Sequence, residues 1–341
     1  MSAARAPSAR RQRRANRRLP SATRAVKVLA IDGGGIRGLI PAVVMAAIEE
    51  RCGKRIAEAF DLLAGTSTGG ILALALAHPD KQYMAEDLIT LYEEDGPKIF
   101  HRSLFRRLES VDGYIDELYD DKALKESLRK HFGDARLKDA SCRIFITAYE
   151  LNLRKAFFFR SARASGEQQA PEPPDAYDFP MAEVAHATSA APTYFEPVQV
   201  TSATGETYDL IDGGVFATNP AMCAYAELRK TRTANDLVFL SLGTGTQTPQ
   251  QAIDPRRARG WGKIGWVRPL IDVMFDGVSD TVEFELGQLL GERYVRLQTP
   301  LNGASGALDD ASADNLRRLR QLGEELVAKS DAQLDRLCGL L

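Results

Sequence analysis

No apolar run in this chain of 341 residues is long enough to cross a bilayer. The longest, around Ile71–Ala77, covers about two helical turns, so the chain reads as soluble and any membrane contact as peripheral. Cysteine is scarce: the four, at positions 52, 142, 223 and 338, are far apart and form no C-x-x-C pair. That spacing predicts neither metal binding nor disulfide use, and makes a reducing cytoplasm the default compartment. Histidine is as thin, with His78, His101, His131 and His186 the whole supply. None lies in a local pattern that marks a catalytic base. Acidic residues are missing from positions 1–27, which carry eight Arg and one Lys. The net charge of −2 therefore leaves the rest of the chain at about −11, those nine cations removed.

The basic head, residues 1–24, has small and polar residues between its arginines and no apolar period, so it reads as a disordered tail. No apolar stretch follows it before the first strand, so a secretory or twin-arginine signal is not expected. With no aromatics interleaved, specific nucleic-acid binding is not expected. A solvated tail drawn to an anionic membrane surface fits better.

Residues 25–341, in a chain that is 44% apolar, suffice for one large domain. Ala25–Ile31 is a β-type run ending in Asp32 and three glycines, and Leu39–Glu50 suits a buried helix with Pro41 in its first turn. Phe60–Ala64 reads as a second strand that leads through GTSTGG into the helix Ile71–Ala77. Strand, glycine turn and buried helix, twice over, predict an α/β fold with a parallel sheet under helices. Residues 80–140 are helical and more charged. Within them PKIFHRSLFRRLES (97–110) mixes Ile99, Phe100, Leu104, Phe105 and Leu108 with cations, so it serves as a core-facing segment or as a lipid-touching cap. Arg143–Tyr149 and Ala156–Phe159 read as strands, Ser161–Asp178 as a proline-rich loop and Phe179–Ala190 as helix. Val198–Ile211 reads as a hairpin around Gly205, and Asn219-Pro220 as the cap of a helix. Leu237–Leu242 has the uninterrupted apolar pattern of a central strand. Both tryptophans mark 261–275, and a last helix fills 312–341.

Gly65-Thr66-Ser67-Thr68-Gly69 fits the G-x-S-x-G elbow, in which a sharp strand-to-helix turn exposes the serine hydroxyl. Glycines are needed on either side because side chains there would collide. With no histidine placed to serve it, the base must come from elsewhere. Asp212 ends a strand and is followed by Gly213 and Gly214. Exposed it would be a poor base, with a pKa of about 3.9, whereas burial would strengthen it. The loop Gly33-Gly34-Gly35-Ile36-Arg37-Gly38 follows a strand and opens a helix, so its N–H groups form an anion cradle. With the Thr68 N–H, the amides of Gly34 and Gly35 are candidates to hold an oxyanion. Arg37 is placed to anchor the loop or to meet a lipid phosphate. The same six residues match the G-x-G-x-x-G dinucleotide fingerprint, but that reading needs an acid at the end of the second strand. The nearby acid, Asp61, is at the wrong end.

DGGGIRG at 32–38, GTSTGG at 65–70 and DGG at 212–214 together resemble the patatin-like phospholipases. ATSAAPTYF at 187–195 and SLGTG at 241–245 are also similar to that family, and the likeness runs from Val28 to Gly245. It implies a three-layer α/β/α sandwich with a mostly parallel central sheet, continued by a C-terminal helical extension. It also implies a Ser67–Asp212 dyad, an oxyanion hole on Gly33–Gly38, and hydrolysis of phospholipid or lysophospholipid acyl esters without a metal or cofactor. Residues 261–290 are similar to bacterial members, among them cyclic-nucleotide-activated phospholipases of antiviral defence. That likeness implies a cyclic-nucleotide activator and peripheral contact with the inner membrane. Acyl transfer on the same dyad, and a non-catalytic lipid- or nucleotide-binding regulator, remain alternatives. The oligomeric state is left open.

Overall fold

Burial along the first strand shows how the layers arise. The computed structural model describes residues 24–100, 121–248 and 253–341. In β1 (Val26–Ile31) all six residues are buried. Val26, Val28 and Ala30 join one apolar core, while Leu29 and Ile31 join another on the opposite face. A strand buried on both sides needs cover on both sides, which makes three layers.

The sheet adds β2 (Leu62–Gly65), β3 (Arg143–Glu150), β4 (Lys155–Arg160), β5 (Val198–Thr201), β6 (Thr207–Asp212), β7 (Leu237–Leu242) and β8 (Tyr294–Leu297). Its order is β5-β6-β3-β2-β1-β7-β8, with β4 also paired to β3. The pairs β3–β2, β2–β1, β1–β7 and β7–β8 are parallel, whereas β3–β4, β3–β6 and β5–β6 are antiparallel. The sheet is thus mixed, parallel at the centre and antiparallel on one flank.

Helices α1 (Leu39–Cys52), α2 (Thr68–Leu76), α3 (Ala85–Ile99), α4 (Lys122–Phe132), α5 (Met181–Thr188), α8 (Ala313–Lys329) and α9 (Asp331–Leu340) bury their apolar residues in the larger core. Helix α6 (Ala221–Leu228) and the C-terminal half of α7 (Gly262–Leu290) cover the other face. The Asn219 side chain caps α6 by accepting the Ala221 N–H at 3.0 Å. Gly205, at φ +89°, turns the β5–β6 hairpin.

Register brings two strand ends together. On β3, β4 pairs with residues 145–150, so it occupies one edge. On the other edge β2 pairs with 143–146 and β6, running the opposite way, with 148–150. Strands β2 and β6 therefore meet nearly end to end, and the turns that follow Gly65 and Asp212 share one space.

Two expectations change, and one falls on residues that are not described. The last helix breaks at Ser330 into α8 and α9. The basic segment 101–110 lies outside the described residues, as does the 1–23 part of the tail. The cysteines are not all unpaired: Cys52, the last residue of α1, forms a disulfide with Cys338 of α9, their Cα atoms 5.2 Å apart. A separation of 286 residues carries no sequence signal, because only the packing of α9 back on α1 makes the two neighbours. Arg51 binds Asp331 and Asp335 at 2.5 and 2.9 Å beside that bond. Disulfides are rare in a reducing cytosol, so the ground for expecting that compartment is removed. Among the described residues no helix is long and apolar enough to cross a membrane.

Candidate active site

Ser67 is the pivot between β2 and α2, and its backbone is unusual for a side chain with a Cβ, at φ 54° and ψ −125°. Such a conformation persists only where the surroundings over-determine it. A Cβ on Gly65 would run into the backbone of Gly69 and Gly70, and one on Gly69 into the carbonyls of Ile31 and Asp32. The turn closes only with glycine at both places. A threonine network holds it. Thr66 Oγ1 donates to the Ala217 carbonyl at 2.6 Å and lies 2.7 Å from Thr147 Oγ1. The Ser67 N–H donates to Thr188 Oγ1 at 2.9 Å, which in turn donates to the Thr147 carbonyl at 2.7 Å.

Asp212 is fully buried at the end of β6. Its Oδ1 accepts the Gly214 N–H at 2.7 Å, while Oδ2 has no hydrogen bond of standard geometry. Loss of water pushes the carboxyl up to about 7, with the Ser67 hydroxyl and the Gly214 N–H pulling the other way. A Cβ on Gly213 would overlap the Thr147 hydroxyl, and one on Gly214 would stand 2.7 Å from the Phe275 ring. Both glycines are there for close approach.

Ser67 and Asp212 line one cleft of about 80 Å³. Gly35 and Thr68 share the wall, and apolar side chains such as Ile71, Ile99, Phe100, Phe195 and Phe275 make most of the rest. No histidine lines it among the described residues. His78 accepts the N–H groups of Asp80 and Lys81, and His131 faces Asp95 at 3.0 Å. His186 lies buried 3.6 Å from Asp121, and burial pushes its imidazole down to about 4. His101 is outside the described residues.

The glycine loop divides its labour. Gly33 is corrected as an oxyanion donor, because its N–H is taken by the Thr218 carbonyl at 2.9 Å. The N–H of Ile36 goes to Leu308 at 2.8 Å and that of Arg37 to Gly34 at 3.1 Å. Among the described residues no partner stands at the N–H groups of Gly34 and Gly35. Gly35 adopts φ +56°, with the Leu308 backbone where a Cβ would be. Gly38 leaves room for the Tyr92 and Thr68 hydroxyls, which hydrogen-bond to each other. Arg37 is buried, and its Nε donates to the Gly34 carbonyl at 3.3 Å, so it anchors the loop.

Sequence reading missed the group behind this loop. Asp32 is buried and paired with Arg296 of β8, Nη1 to Oδ1 at 3.0 Å and Nη2 to Oδ2 at 2.5 Å. Ser279 of α7 donates to the same carboxylate at 3.2 Å. Thr244 Oγ1 donates to the Gly33 carbonyl at 2.7 Å. These partners are 211–264 residues away, and nothing local announces them.

Residues 29–225 match the family model described as patatin-like phospholipase. The chain is 31% identical to patatin-like protein 2 of Arabidopsis thaliana, over 91% of this chain and 84% of that protein. It is 32% identical to patatin-like protein 1 of Oryza sativa subsp. indica, over 89% of this chain and 81% of that one. A solved structure of human GIVD cytosolic phospholipase A2 aligns with a TM-score of 0.47 at 12% identity, covering 93% of this chain and 60% of that one.

Proposed function

Because the chain belongs to the patatin-like phospholipase family, we propose that Ser67 and Asp212 form the catalytic dyad of this lipid acyl hydrolase. One observation carries the reading: a buried carboxyl whose pKa the Ser67 hydroxyl lowers shares an apolar cleft with that serine, itself held at positive φ.

The chemistry follows from those groups. Ionised Asp212 accepts the Ser67 proton as Oγ attacks the ester carbonyl, and the oxyanion that forms takes hydrogen bonds from the N–H groups of Gly34, Gly35 and Thr68. Each such donor is worth about 3 kcal/mol of barrier. Collapse of the intermediate expels the alcohol, which takes the proton back from Asp212, and leaves an acyl-Ser67 ester. Water, deprotonated by Asp212, then attacks that ester, and Ser67 Oγ leaves with the proton from Asp212 as the fatty acid is released. The apolar walls suit an acyl chain, which supports a phospholipid or lysophospholipid substrate. Fatty-acid release from phospholipid vesicles should vanish in Ser67→Ala. Release that survives the substitution would end the reading.

Transfer to an acceptor other than water uses the same acyl-enzyme, and added alcohols or thiols would divert product to new esters. A non-catalytic regulator would bind lipid without turnover. A cyclic-nucleotide gate and a role in antiviral defence rest on the resemblance of residues 261–290 alone. A panel of cyclic nucleotides should raise the rate severalfold, and a flat response removes the gate.

A further inference from the structure

Helix α7 changes character along its length. From Phe275 onward one face is packed, with Phe275, Val282, Leu286 and Leu290 buried, while Phe284 and Leu289 stay exposed. Before Phe275 none of its described side chains is buried, although the composition is apolar. Trp266, Leu270, Val273 and Met274 are 38–48% exposed, and their spacing of four, three and one puts them on one face. Trp261 and Trp266, the only tryptophans of the chain, stand edge to face 5.2 Å apart at its start. Over this stretch the described large apolar side chains are thus left partly exposed.

Charge selects the occupant. Residues 255–274 hold Arg256, Arg257, Arg259, Lys263 and Arg268 against one acid, Asp272, and Arg256 and Arg259 are exposed. A second copy docking symmetrically on this face would bring like charges together. An anionic lipid surface would attract them, and tryptophan with leucine on one side and cations nearby is the composition of an interfacial helix. This stretch ends at the cleft itself, because Phe275, which lines the cleft, follows Met274 directly.

We propose that residues 261–274 are an interfacial anchor for an anionic lipid bilayer, which holds the mouth of the Ser67 cleft at that surface. The proposal deepens the acyl hydrolase reading and rests on it for its use, but its test is binding rather than turnover. The full chain carrying Ser67→Ala is mixed with vesicles of phosphatidylcholine, alone or with phosphatidylglycerol. Both tryptophans lie in the anchor, so their emission reports it directly. Emission should move to shorter wavelength and be quenched by brominated lipid on the mixed vesicles. Added salt should weaken the effect severalfold, and Leu270→Asp with Val273→Asp should weaken partition about tenfold. These side chains are exposed, so an unchanged circular dichroism spectrum is the folding control. Unshifted emission, or binding indifferent to the two substitutions, would overturn the proposal. So would a dimer in sedimentation equilibrium that the same substitutions dissociate, because the face would then be a self-interface. A parent chain that binds these vesicles but cleaves neither lipid nor soluble ester would refute the hydrolase reading and leave the anchor standing.

Discussion

Gly65 and Asp212 stand two places apart on one edge of β3, opposite Ile146 and Ala148. Strands running in opposite directions end there, so the turn that carries Ser67 and the carboxylate of Asp212 are delivered to one cleft by sheet register alone.

Burial of Asp212 sets a pH profile. Its folded pKa of about 7 is raised above the unfolded value, and the proposed base must be ionised. Activity on a soluble ester should therefore rise with pH through about 7 and level off above it. A profile flat between pH 5 and 8, roughly the range that straddles this value, would count against Asp212 as base.

The same shift has a stability consequence. A carboxyl whose pKa is raised by folding contributes stability that is fully present below its unfolded pKa and is lost as pH rises through about 7. Asp212→Asn should abolish activity yet raise stability at pH 8 by on the order of 2–4 kcal/mol, seen as a higher melting temperature. The gain should shrink as the pH falls toward 4, the ordinary carboxyl value, and thermal melts at several pH values measure it.

Strain at the elbow predicts a ranking. With φ at 54°, a Cβ at position 67 is disfavoured, so Ser67→Gly should be more stable than Ser67→Ala by about 1 kcal/mol, both being inactive. Gly69→Ala should cost more than about 3 kcal/mol, because its Cβ meets backbone carbonyls. Gly277→Ala on α7, where nothing lies within 4 Å, should be neutral or stabilising by up to about 1 kcal/mol. Urea titration separates the three.

The pair behind the glycine loop should matter for stability. Arg296→Met leaves Asp32 buried without its cation and should cost about 3–5 kcal/mol. Adding Asp32→Leu should recover part of that loss, because it removes the unpaired charge. A double variant no better than the single one would mean that the pair acts only through packing.

The disulfide between α1 and α9 should be worth about 2–4 kcal/mol. Cys338→Ser, or reduction of the parent, should lower the melting temperature, while thiol counts under denaturing, non-reducing conditions should give two free cysteines, 142 and 223.

Legibility followed locality. The β1, β7 and β5–β6 segments, the α6 cap and the glycine turns carry their reasons in adjacent residues, so the α/β class and the segments around the cleft could be read directly. What the sequence hid was non-local. The Cys52–Cys338 bond, the Asp32–Arg296 pair and the loss of the Gly33 N–H to Thr218 depend on partners 185 or more positions away. Helix α7 and strand β8 went unread for another reason. Pro269 and four glycines interrupt the helical pattern of α7, and none of the described side chains before Phe275 is buried. Strand β8 is only four residues long.

Mass spectrometry of the chain after reaction with a fluorophosphonate tests the central claim most directly. The account predicts one adduct, on Ser67, that forms faster as the pH rises through about 7 and is lost in Asp212→Asn. An adduct on another residue, or on Ser67 at the same rate in Asp212→Asn, would contradict it.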